Sequence, residues 1–178
     1  MNLVLLIARL FFGLGMAAHG SQKLFGWFGG HGLSGTGAFF ESRLGFHPGR
    51  LFALAAGLGE LGSGVLVALG LLGPFGPALM VLVMVVAILT VHLKAGFLST
   101  NNGSEMPLLY AIGASLLAFV GPGAWSLDSL LGLTVLTSTT NTAIALALGA
   151  AAGVAASFMR HDPTAANVAS AAAPAATR

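Results

Sequence analysis

Leu51 to Leu72 reads LFALAAGLGELGSGVLVALGLL. One reading takes Gly57-Leu58-Gly59-Glu60-Leu61-Gly62 as a dinucleotide-binding fingerprint, because it matches G-x-G-x-x-G. That fingerprint needs a preceding strand and a soluble βαβ unit around it. Here the run is apolar on both sides of Glu60 and ends in the tight turn Gly73-Pro74-Phe75-Gly76-Pro77. The stretch therefore reads as a membrane helix whose glycines allow close helix packing.

The neighbouring runs agree. Leu3 to Ala18 is apolar except for Arg9; as a helix it is about 24 Å long, slightly short of the ~30 Å hydrocarbon core. A signal peptide is the competing reading, but it wants a positive region before the apolar run. The only basic residue here, Arg9, sits inside it. Pro77 to about Gly96 is a third span, and Pro107 to about Val120 a fourth, with Pro107 suited to a first helical position. Between spans one and two, residues 20–50 are glycine-rich at the front. Thr36 to Leu44 is expected to form a short interfacial helix with Phe39 and Phe40 facing lipid. A fifth span is expected over residues 141–159, where Ala145, Gly149 and Gly153 recur at four-residue spacing. The Ala/Pro/Thr-rich tail over residues 160–178 is expected to be disordered.

Composition supports this all-α membrane fold, a four-helix transmembrane bundle with a fifth C-terminal helix. Hydrophobic residues make up 56% of the chain and charged residues 7%, with mean hydropathy +0.93. A soluble domain carries about 25% charged residues. Net charge is +2, but the seven basic residues are scattered, which argues against nucleic acid. There is no cysteine, so disulfides, a thiol relay, Cys-ligated zinc and a protein-held iron–sulfur cluster are excluded. Scarce lysine with abundant alanine and glycine points to a high-GC bacterial source and hence the plasma membrane. With five spans, Lys23, Arg43, Arg50, Lys94, Arg160 and Arg178 share one side. The positive-inside rule places the first loop and C-terminus in the cytoplasm.

Charges inside spans are costly and are usually paired or functional. Arg9 lies ten residues before His19, and Glu60 nine residues after Leu51. On antiparallel helices that sets both at a depth of about 14–15 Å, so Arg9–Glu60 is the expected intramembrane ion pair. It reads either as a clasp fixing helix register or as a ligand- or proton-handling site. Above it, His19, Gln22, Lys23, His92, Asn101 and Glu105 are brought to the first-loop side by helix counting. Such a polar pocket suits a quinone head group or a small anion. Ligation of a metal or haem by His19 and His92 is the weaker reading, because a lone His is more often a hydrogen-bonded structural residue. No metal site is assigned.

The run His19-Gly20-Ser21-Gln22-Lys23-Leu24-Phe25-Gly26-Trp27-Phe28-Gly29-Gly30, followed by Gly35-Thr36-Gly37-Ala38-Phe39-Phe40, carries a resemblance. Residues 57–62, His92, Gly96-Phe97, Gly103 with Glu105, and Gly121 to Asp128 extend it. Over about residues 1–128 the chain resembles the DoxX family of bacterial membrane proteins. The resemblance implies a four-helix membrane core and a link to sulfur- and quinol-linked oxidoreductase systems. Its family-like positions are Arg9, His19, Gln22, Lys23, Glu60, His92 and Glu105. Two features depart from it: Gly73-Pro74 stands where relatives often carry Thr-Arg, and residues 129–159 are an added apolar helix.

Three functions compete. One is a redox-associated subunit that binds quinone or anchors a soluble oxidoreductase. The others are a small transporter or permeability protein, and a structural membrane partner. No motif marks a stand-alone catalyst, so whether the chain is an enzyme stays open, and any cofactor would be held non-covalently. The bilayer is the expected partner, and homo-oligomerisation stays open.

Overall fold

The computed structural model describes residues 1–133 and 138–161. Among these residues the regular structure is helical. Helix α1 spans Asn2–Phe25, α2 Gly32–Phe39, α3 Gly49–Leu69, and α4 Phe75–Ala87. Two further turns continue α4 to Ala95. Helix α5 spans Glu105–Val120, the short α6 Leu127–Leu131, and α7 Thr139–Ser157. By length and apolarity α1, α3, extended α4 and α7 can each cross a membrane, while α5, at 16 residues, is shorter. The added C-terminal helix is thus the longer of the last two. The tail expected to be disordered lies, from residue 162, outside the described residues.

Glycines set the register of the central pair. A side chain at Gly13 would strike the backbone of Gly64 and Ala68, and one at Gly20 the backbone of Gly57 and Leu61. Residue numbers rise along α1 as they fall along α3, so the helices are antiparallel and nearly in backbone contact. This is the packing that the glycine-rich run at 57–64 predicts. Against the pair lies a core of Met16, Val67, Met80, Met84, Tyr110 and Ala114.

Helix α7 packs on α4 through the predicted small residues. Gly149 abuts the Ala78 carbonyl and Gly153 the Leu82 carbonyl. Numbers rise together along both helices, so they run parallel. The His161 N–H donates to the Gly45 carbonyl at 2.8 Å. The end of α7 therefore sits on the first-loop side, as five crossings require.

Two sequence expectations change. Span one does not end near Ala18: α1 remains helical through His19 and Lys23 until Gly26, at φ 75°, ends it. Gly20 and Ser21 are buried in this extra turn and a half, and the Ser21 hydroxyl donates back to the Ala17 carbonyl at 2.8 Å. The interfacial helix also differs. It starts at Gly32 and passes into a wider π-type turn over Phe40–Leu44. Phe39 and Phe40 line an open cavity rather than facing only lipid. The Phe40 ring packs 5.9 Å from that of Phe46.

Candidate functional site

The register set by the glycines corrects the expected ion pair. Arg9 comes opposite Gly70, whereas Glu60 comes opposite Gly20. Ten residues of α3 separate the two levels, about 15 Å along the axis. Arg9 and Glu60 therefore do not pair. The depth count failed because α1 runs six residues past His19 and its last turn lies beside Gly57 rather than at the start of α3, which together move Arg9 deeper.

Glu60 pairs instead with Lys23, whose Nζ donates to its two carboxylate oxygens at 2.8 and 2.7 Å. The carboxylate is almost fully buried, and 27% of the Lys23 side chain is accessible. A largely buried ion pair needs close geometry to offset desolvation. Two contacts from one ammonium supply it.

The pair opens onto a cavity of about 480 Å³. Its polar lining is Gln22, Lys23, His31, Thr36, Glu60, Thr90 and His92. Phe39, Phe40, Phe46 and Phe52 supply aromatic walls, and Leu82, Val83 and Val86 of α4 an aliphatic one. Both π-type turns, Phe40–Leu44 and Ile88–His92, contribute to the lining. Such wide turns displace side chains from regular helical directions and often occur at functional sites.

Hydrogen bonds fix the polar groups. The Gln22 amide donates to the Phe28 carbonyl at 3.2 Å, and its oxygen accepts from His19 Nδ1 at 3.1 Å. Gly30 packs over the Gln22 backbone, folding the loop onto the end of α1. His92 Nδ1 lies 2.7 Å from the Asn102 carbonyl. A carbonyl only accepts, so Nδ1 carries the proton, and Nε2 of the neutral ring is left as an acceptor.

Of the expected pocket, Gln22, Lys23 and His92 come together around the cavity, and Glu60 joins them. His19, Asn101 and Glu105 do not line it. His19 supports Gln22 and sets its ring 6.0 Å from that of Tyr110. Glu105 accepts from the Ser99 N–H at 2.9 Å, and Asn101 closes the same short turn. Thr36, Phe46 and Phe52 were not among the predicted site residues. Phe46 and Phe52 flank the bend into α3, and aromatic spacing there is the signal that marks them.

Arg9 belongs to a separate cluster at the opposite end of α1. It is 3% exposed and donates from Nη2 to the Trp125 carbonyl. Its Nε and Nη1 are buried without a hydrogen-bond partner among the described residues. Asp128, 1% exposed, is near enough for its charge to act on the guanidinium. The carboxylate also accepts from the backbone N–H groups of Leu72 and Gly73 at 2.8 and 2.6 Å. Asp128 thus ties the turn between α3 and α4 to the start of α6. Its position on the side where α1 begins, together with an otherwise unpaired Arg9, is the sequence signal for this contact.

Comparison with curated proteins and with solved structures gives no match. The family model described as DoxX matches residues 4–93. The match takes in α1 to α4, with Arg9, the Lys23–Glu60 pair and every aromatic wall of the cavity. Half of the chain fits that model, and the protein is a multi-pass membrane protein that belongs to the DoxX family.

Proposed function

We propose that this chain is a redox-associated membrane subunit that binds a quinone-class head group in the cavity between α1, α2, α3 and α4. The observation that carries this reading is one cavity lined both by the Lys23–Glu60 pair with further hydrogen-bonding groups and by aromatic side chains. Ligand pockets pair an apolar lining with a few placed polar groups in this way. Lys23 and the second amide hydrogen of Gln22 offer donors to a ring carbonyl. Glu60 and His92 Nε2 offer acceptors to the hydroxyl of a reduced ring. With no cysteine in the chain, electrons would travel on the bound molecule or on a soluble oxidoreductase partner. The positive-inside rule favours a bacterial plasma membrane setting with the first loop cytoplasmic.

Native mass spectrometry of the full chain in mild detergent, with chromatography of its organic extract, tests the proposal. A quinone retained by the parent protein and reduced about tenfold or more in Glu60→Gln, a loss near 1.4 kcal/mol, supports it. A parent protein that carries no quinone, and shows no saturable binding of an added short-chain quinone, overturns it.

A further inference from the structure

A second cavity, of about 520 Å³, opens beside the first on the first-loop side. Three distant parts of the chain meet there: Arg43 from the end of the π-type turn, Lys94 from the end of extended α4, and Arg160 with His161 just beyond α7. Among the described residues no Asp or Glu lines it. Arg43, Lys94 and Arg160 make no ion pair among the described residues, where the pairs are Lys23–Glu60 and His47–Glu41. Glu41, two residues before Arg43, is engaged elsewhere, accepting from the Gly49 N–H at 2.9 Å.

Three cations around one concavity repel one another unless an anion sits between them. The fold brings the segments that carry them together. The bond from His161 to Gly45 keeps the end of α7 over the first loop. Thr90 and Asn102 add hydrogen-bonding groups to the rim, and Leu44, Leu89 and Leu93 form an apolar floor. Basic pockets between helices at the membrane surface hold phosphate head groups in this manner.

We propose that this cavity binds a phosphate-bearing anion, with Arg43, Lys94 and Arg160 as its ligands. The apolar floor fits the first carbons of an acyl chain, and the polar rim fits the phosphate. The proposal does not depend on the quinone reading, because its charged residues lie outside the first cavity.

The test uses delipidated full-length protein in non-ionic detergent. Phosphatidylglycerol and phosphatidylcholine with matched chains are titrated and followed by native mass spectrometry, and inorganic phosphate by thermal shift. Each cation near the surface changes retention of an anion by about fivefold. The Arg43→Gln/Lys94→Gln/Arg160→Gln variant should therefore lose phosphatidylglycerol by a factor on the order of a hundred. Arg50→Gln, on the same side but outside the cavity, should retain it. Stabilisation by inorganic phosphate that disappears in the triple variant, with no lipid preference, supports the same site with a free anion as occupant. Equal retention of both lipids together with no phosphate stabilisation overturns the proposal, as does a response that the triple variant keeps. Should that variant not assemble, the single Arg43→Gln and Lys94→Gln variants decide at about fivefold each.

Discussion

The two ends of α1 each bury a cation, and they treat it differently. Arg9 is packed against Gly70, bonded to the Trp125 carbonyl and faced by Asp128, whose own oxygens hold a neighbouring turn. Lys23 makes one bidentate ion pair and fronts an open cavity. At the first end Arg9 Nη2 and both Asp128 oxygens bond to the protein's own backbone, in a closely packed setting. At the second they border space that a ligand can fill. An intramembrane charge is therefore sorted by what surrounds it: Arg9 reads as a fastener and Lys23–Glu60 as a binding feature.

The sharpest way to break this comparison is to remove one member of the fastening cluster. Arg9→Leu removes the charge that faces buried Asp128 and leaves the Trp125 carbonyl without its charged donor, a loss of about 1.5–3 kcal/mol. Asp128→Ala leaves the Leu72 and Gly73 N–H groups without their acceptor, at about 1–3 kcal/mol each. Denaturant titration in detergent should show both losses. If Arg9→Leu unfolds no more readily than the parent protein, the fastener reading of that end is wrong.

Helix packing gives the next largest effect. A side chain at Gly13 would meet the backbone of α3, which cannot swing aside. Gly13→Val should therefore cost about 1–3 kcal/mol through overpacking. Gly62, in the same glycine-rich run, has open space where its Cβ would stand. Gly62→Ala should be neutral or stabilise by up to about 1 kcal/mol, the helix-propensity difference. Similar losses at both sites would remove close backbone approach as the force that sets the register.

That register explains how much was legible in the sequence. Apolar runs, punctuating Gly-Pro turns and scarce charge were enough to place the membrane helices, including α7 and its Gly149/Gly153 contact. The side of the membrane on which Gln22, Lys23 and His92 meet also followed from helix counting. The charge pairing did not. Depth counting assumed that a helix stops where polar residues begin, yet α1 carries His19 and Lys23 for another turn and a half. An error of about six residues is about 9 Å of rise, sufficient to exchange one partner for another. Contacts such as Asp128 with the Leu72–Gly73 turn join segments more than fifty residues apart and leave no periodic trace. The aromatic walls were missed for a related reason: Phe39 and Phe40 sit at the transition into a wider turn, where regular helical directions no longer apply.

The smallest stability effects are expected at the Lys23 end, where binding should change most. Lys23→Met leaves the Glu60 carboxylate unpaired, but the adjoining cavity gives water or a proton access to it. The cost should fall to about 1–2 kcal/mol, the range for an unsatisfied polar group, while ligand retention drops about tenfold. His19→Ala supplies the lower bound. His19 is exposed and touches the site only through Gln22. A surface change of this kind stays within about 0.5 kcal/mol, roughly twofold in retention. Measuring stability and retained ligand together for Arg9→Leu, Lys23→Met and His19→Ala separates the roles. The fastener should move stability most, the ion pair should move retention most, and His19→Ala should move neither much. If Lys23→Met lost as much stability as Arg9→Leu while keeping its ligand, the two ends of α1 would be alike, and the cavity would have no claim on Lys23–Glu60.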